Sequence, residues 1–158
     1  MAESFQDNIQ NTATTIKLPP NSQEAEQSVL GGLMLNDQHW FDLVDILQPS
    51  DFYRNQHQLI YQAMIELANQ DEALDAVTVS EKLKSKAILE KAGGIEYLGQ
   101  LAESSTGAST VLAYARIIRE RSVLRQLIGA ANQIADSAFS TEGKAVSYTH
   151  LRAHETIA

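Results

Sequence analysis

Three observations predict an all-α chain. Apolar residues recur at helical spacing from Ala25 to Ala138, no stretch alternates long enough to form a strand, and residues 109–139 contain no proline. The one candidate strand, Ala76-Val77-Thr78-Val79, is too brief and overlaps a helix-capping pattern. The expected architecture is a small helical head of about five short helices followed by one long helix.

Residues 1–17 are polar, rich in Asn, Gln and Thr, and without periodicity, and read as a disordered arm. Structure is expected to start at Leu18-Pro19-Pro20-Asn21, where the prolines hold the backbone extended and Asn21 with Glu24 makes an N-terminal capping pattern. Ala25, Val29, Gly32 and Leu33 then share a face, with Leu30 and Met34 beside it. Glycine inside a helix costs about 1 kcal/mol relative to alanine, so the pair Gly31-Gly32 points to close approach of another helix. A second short amphipathic helix carries Trp40, Val44 and Leu47, with Leu43 and Phe41 nearby, and stops before Pro49. Asp51-Phe52-Tyr53 reads as a turn whose two aromatics anchor in the core. The third helix spans 55–69, with Leu59, Ile60, Ala63, Met64, Leu67 and Ala68 at helical spacing and Met64 as core filler. Thr78-Val79-Ser80-Glu81 has the form of a capping box before a fourth helix, and Gly93-Gly94 separates it from a fifth carrying Ile95, Leu98, Leu101 and Ala102.

The long helix is expected to open at Ser109. Val111, Tyr114, Ile117 and Ile118 share one face; after Arg121 the stripe moves, and Val123, Leu124, Leu127, Ile128, Ala131, Ile134, Ala135 and Ala138 fall within an arc of roughly 140°. A helix whose apolar face turns midway serves two neighbours. The chain thus divides into an arm at 1–17, a helical head at 18–104, a long helix at 105–144 and a tail at 145–158. That tail, AVSYTHLRAHETIA, does not continue the preceding pattern.

With 158 residues the chain is one domain, long enough to bury a core. It has no cysteine, which fits a reducing compartment and excludes disulfides and thiolate metal sites. No run of about eighteen apolar residues exists and the N-terminus lacks a basic start and apolar core, so neither a membrane span nor a secretory signal is expected and the chain reads as cytoplasmic. A net charge of −8 makes the surface as a whole a poor partner for phosphate backbones.

No catalytic, cofactor-binding or metal-binding constellation emerges. Gly143-Lys144 has Ala138 where a phosphate-cradling loop needs its first glycine and Ala145 where it needs a hydroxyl. His150 and His154 lack the glutamate that zinc protease chemistry requires, since Leu151 follows the first. His39 and His57 are isolated and expected at the surface or its boundary, Asp51 and His57 have no nucleophile to serve, and no serine sits in a Gly-x-Ser-x-Gly elbow. One charge feature stands out: Arg116, Arg119, Arg121 and Arg125 around Glu120 carry +3 over ten residues. Either this is a solvated face with weak local ion pairs, or Arg116, Arg119, Glu120 and Arg125 form a docking face for an acidic partner or a second copy of the chain. An accessory DNA-binding role for the 116–125 face is the alternative function.

Several stretches taken together resemble one family. LPPNSQEAEQSVLGGLML (Leu18–Leu35), DFYRNQHQLIYQAM (Asp51–Met64), LDAVTVSEKL (Leu74–Leu83), GGIEYLGQL (Gly93–Leu101) and AYARIIRERSVLRQLI (Ala113–Ile128), in this order and spacing, are similar to the N-terminal domain of the bacterial replicative DNA helicase of the DnaB type. The resemblance covers roughly residues 18–143 and implies an all-α head followed by a long helical hairpin. It also implies a scaffold role, in which such domains pair through their hairpins into a dimer or hexamer collar that binds primase; a helicase loader is a further candidate partner. ATP and Mg, ATP hydrolysis and translocation on single-stranded DNA are expected only of a C-terminal domain absent here, so the chain reads as a non-catalytic fragment of an ATP-dependent helicase. Where the family continues into a second hairpin helix, this chain has the 145–158 tail, which looks like a translated adapter or vector read-through. The long helix is then the first arm of an incomplete hairpin. Its expected self-assembly face is Leu124, Leu127, Ile128, Ala131, Ile134 and Ala135.

Overall fold

A computed structural model describes residues 17–105 and 107–140. Among them are six α-helices and two short 3-10 turns, and no strand: α1 (Gln23–Leu35), α2 (Trp40–Val44), a turn at Pro49–Asp51, α3 (Asn55–Ala68), α4 (Ala76–Ser85), α5 (Gly94–Glu103), a turn at Ala108–Thr110, and α6 (Val111–Phe139). The expectations for the polar arm at 1–16 and for the tail at 145–158, its two histidines included, lie outside the described residues.

α1 is the axis of the core. Buried residues occur all round it, from Ala25 and Glu26 through Ser28 to Met34, as they must in a helix enclosed by others. α5 and α6 pack on it, and α3 and α4 close the other side of the core. The Gly31-Gly32 pair permits this. A Cβ on Gly31 would lie 2.0 Å from the Leu101 carbonyl oxygen, and one on Gly32 would lie 2.4 Å from Val111 Cγ2. The helix–helix approach expected from the pair is therefore present, and it brings both α5 and α6 against α1.

Trp40, Phe52 and Tyr61 form the aromatic centre, with ring centroids 4.9 Å apart for Phe52–Tyr61 and 5.8 Å for Trp40–Tyr61. The Tyr61 hydroxyl donates to the Leu47 carbonyl at 3.1 Å, and burial, with the nearby Asp51 charge, pushes its pKa up. Tyr53 departs from expectation. Phe52 enters the core, but Tyr53 stays 40% exposed with Arg125 stacked over its ring at 5.4 Å.

Three helix starts also differ. Ser22, not Asn21, caps α1, because Ser22 has the extended backbone that lets its hydroxyl accept from Ala25 N–H; Asn21 donates to the Pro19 carbonyl instead. α4 begins at Ala76, so Thr78–Glu81 lies within the helix and the cap is Asp75, whose carboxylate accepts from Val77 and Thr78 N–H at 2.9 Å. The Thr78 backbone bond is the main reason the Asp75 carboxyl is held below its usual range. A depressed folded pKa gives stability that is present above the unfolded pKa and lost as pH falls through the folded one. α6 begins at Val111, two residues past Ser109, because residues 108–110 wind as a 3-10 turn.

His57 is the largest departure. It is fully buried rather than at the boundary. Its Nδ1 donates to Glu26 Oε2 at 2.5 Å and its Nε2 faces the Tyr97 hydroxyl at 2.7 Å, while Glu26 Oε1 accepts from Tyr53 N–H at 2.6 Å. This network ties α1, α3 and α5 together. Burying the Glu26 and His57 side chains is tolerable because each finds a partner, His57 in Glu26 and the half-buried Tyr97.

Candidate interaction surface on the long helix

α6 is one continuous helix with two environments. In its first part Val111, Ala115, Ile118 and Ser122 are buried, a stripe at spacings of four, three and four, with Tyr114 and Ile117 half-buried beside it. The small Ala115 sits where Tyr114 was expected, which lets the helix lie close on α1.

A polar clasp ends this buried stripe. Asp51, 1% exposed at the end of the Pro49–Asp51 turn, accepts at Oδ1 from Arg119 Nη1 at 2.8 Å and from Ser122 Oγ at 2.7 Å. Its other oxygen accepts from Gln48 N–H at 2.8 Å. One turn further along α6, Arg125 donates to the Pro20 carbonyl at 2.7 Å and to the Asp51 carbonyl at 2.5 Å. A buried carboxylate must be paired and hydrogen-bonded. Asp51 meets both needs with residues about seventy positions away, so the contact fixes the direction in which α6 leaves the core.

The four residues expected to form a docking face divide by their contacts. Arg119 and Arg125 bond back onto the core, Arg119 remaining exposed, and Arg116 and Glu120 are exposed, Glu120 pairing weakly with Arg121 at 3.6 Å. Asp51, Ser122 and the Pro20 carbonyl are the partners that sequence reasoning missed. A signal was available: Arg119, Ser122 and Arg125 recur every third residue, which winds a polar strip beside the apolar one.

Beyond the clasp α6 is bare. Leu124 is half-buried, whereas Leu127, Ile128, Ala131, Ile134 and Ala135 are all exposed, Leu127 by 64% and Ile134 by 72%. Val123 and Phe139 add to this apolar surface. Single exposed leucines are ordinary, but a row of bulky apolar residues along a helix marks a contact surface. Among the described residues no group of three His, Cys, Asp or Glu side chains could hold a metal ion, and no helix is long and apolar enough to cross a membrane.

The described residues thus form a helical head with a clasped, projecting helix that bares an apolar stripe. Residues 18–120 match the family described as DnaB-like helicase N terminal domain, and the chain belongs to that family. It is 40% identical over 129 residues to the replicative DNA helicase DnaB of Haemophilus influenzae, covering 82% of this chain and 28% of that protein. Among solved structures, the N-terminal domain of DnaB helicase from Mycobacterium tuberculosis superposes with a TM-score of 0.76 at 36% identity, covering 78% of this chain and 89% of the other. The N-terminal domain of DnaB helicase from Helicobacter pylori, described together with its interactions with primase, gives a TM-score of 0.61 at 27% identity, covering 73% and 89%. The all-α fold with a long last helix agrees with these structures. The chain thus spans a little over a quarter of the length of the curated relative.

Proposed function

We propose that this chain is the assembly and primase-docking domain of a replicative helicase that unwinds DNA with ATP. In this reading residues 18–104 are the head and residues 105–144 the first arm of a hairpin. The observation that carries it is the bare apolar stripe from Val123 to Phe139 on a helix whose buried part is clasped to the core by Asp51. Covering six or seven such side chains contributes roughly 25 cal/mol per Å², several kcal/mol in sum, enough to hold a second hairpin helix and a neighbouring copy. The interactions with primase described for the Helicobacter pylori domain support the docking half of the proposal.

ATP, Mg, single-stranded DNA and translocation belong in this reading to a separate ATPase domain. This sequence has no Gly-x4-Gly-Lys-Ser/Thr, so its own residues do not fit the nucleotide and no step of that chemistry is assigned to them. A helicase loader and a cytoplasmic setting follow from the same reading. The alternative of a DNA-binding face at 116–125 loses support because Arg119 and Arg125 are engaged by the core.

The test is light scattering and primase titration on the domain carrying a second hairpin helix. Dimer or larger assembly, primase binding, and a fall in the binding of an apolar dye relative to the chain alone are expected. A strict monomer at high micromolar concentration that ignores primase overturns the proposal.

A further inference from the structure

A second apolar surface lies far from α6 in sequence, where the connector at 36–39 meets the connector at 69–75. A cleft of about 320 Å³ opens there, lined by Trp40, Phe41 and Leu74 among apolar residues and by Asp37, Asp71 and Glu72 among acidic ones. It runs on past Asp37 and Leu74 into a smaller hollow of about 190 Å³ beside Leu35, itself 59% exposed. Phe41 is 82% exposed at the lip although Trp40, its neighbour, is packed in the core. Among the described residues no Lys, Arg or His lines either hollow. Among the described residues the carboxylates of Asp37, Asp71 and Glu72 make no ion pair, whereas Asp75 nearby is committed to capping α4.

The geometry points to a docking site for a basic amphipathic segment of a partner protein. Its apolar residues lie on Trp40, Phe41 and Leu74, and its Lys or Arg side chains meet Asp37, Asp71 and Glu72. Charge complementarity selects this occupant. The same rim repels nucleic acid and anionic lipid, and it repels a second copy of a chain whose own net charge is −8. Helix-in-groove recognition needs an apolar trough with charged edges, and this cleft supplies both. The site shares no residue with the apolar stripe of α6.

Trp40 is the only tryptophan, so its fluorescence reports the cleft directly. The probe is a synthetic amphipathic peptide of Leu and Lys, about sixteen residues long so that it can form a helix, titrated into the full chain beside a Leu and Glu counterpart. The Lys peptide is expected to shift Trp40 emission saturably, with affinity falling as salt rises, and the Glu peptide to leave it unchanged. Asp37→Lys combined with Glu72→Lys is expected to weaken binding at least about tenfold, and Phe41→Ser about as much. A control pair at exposed acids that line neither hollow, Glu96→Lys with Glu103→Lys, should change binding by less than about twofold. The proposal is overturned if the control pair weakens binding as much as the cleft pair, or if no shift occurs. It is equally overturned if the shift appears on concentrating the chain alone, which would make a second copy the occupant.

Discussion

The two parts of α6 are the same helix under different rules. Both carry apolar stripes, and neither contains proline. Yet Val111, Ala115 and Ile118 are buried, whereas Leu127, Ile134 and Phe139 lie open. Helical propensity does not separate them. What separates them is the shape and chemistry offered by the core: the Gly31-Gly32 gap receives the helix at Val111, and the Asp51 carboxylate with the Pro20 carbonyl stops its travel at Arg119, Ser122 and Arg125. A helix held by polar bonds at the point where burial ends becomes a lever. The polar clasp sets its angle, and the apolar stripe beyond is left exposed.

The largest effect should come from cutting the clasp. Asp51→Ala removes the acceptor for Arg119, Ser122 and Gln48 N–H. It leaves a buried hydroxyl and an amide unsatisfied, while Arg119, nearly half exposed, recovers some hydration. The expected loss is about 3 kcal/mol in urea denaturation. Faster hydrogen exchange should extend through residues 111–122 and erase their difference from 123–139. If exchange in those residues is unchanged, the clasp does not hold the helix. A smaller loss, about 2 kcal/mol, is expected for Gly32→Ala, because the new methyl meets Val111 Cγ2, a β-branched group with little freedom to move. A stability within about 0.5 kcal/mol of the parent would show that α1 and α6 separate without cost.

Helices were legible because their apolar residues follow the helical period, and the Gly31-Gly32 approach was legible because glycine inside such a pattern has a cost that packing must offset. Helix starts were less legible. Asn21 and Ser22 are both competent caps, as are Asp75 and Thr78, and the choice depends on which residue takes the extended backbone: Ser22 at φ −141° and Asp75 at ψ 165°. The buried polar groups were not legible at all. Asp51 and His57 look like surface residues until partners 71 and 31 positions away are brought to them, and local sequence carries no record of such distances. The same holds for Arg119 and Arg125, which the helical period places on an open face until the turn at Asp51 closes over them.

The sign of a glycine-to-alanine substitution should reverse between Gly32, where α1 receives the buried part of α6, and the bare part of α6. Gly129 lies in the bare part, where a Cβ would have nothing within 4 Å, so Gly129→Ala meets no clash. Alanine gains the helix propensity that glycine lacks, and about 0.5–1 kcal/mol of added local stability is expected. Circular dichroism and slower exchange across residues 123–139 would register it, with the urea midpoint of the core almost unmoved. A loss of helix there would mean that Gly129 already meets a neighbour.

The smallest effect in the chain alone should follow from Leu127→Gln with Ile134→Gln. Both side chains are exposed already, so the folded state surrenders little apolar burial, and stability should stay within about 0.5 kcal/mol of the parent. Dye binding should fall, because the replaced groups supply the apolar surface. The same pair, introduced after a second hairpin helix has been added, should cost several kcal/mol of assembly free energy at roughly 25 cal/mol per Å² of lost burial. An equal effect in both settings would mean that the outer part of α6 is already covered, and the contrast with the clasped part would disappear.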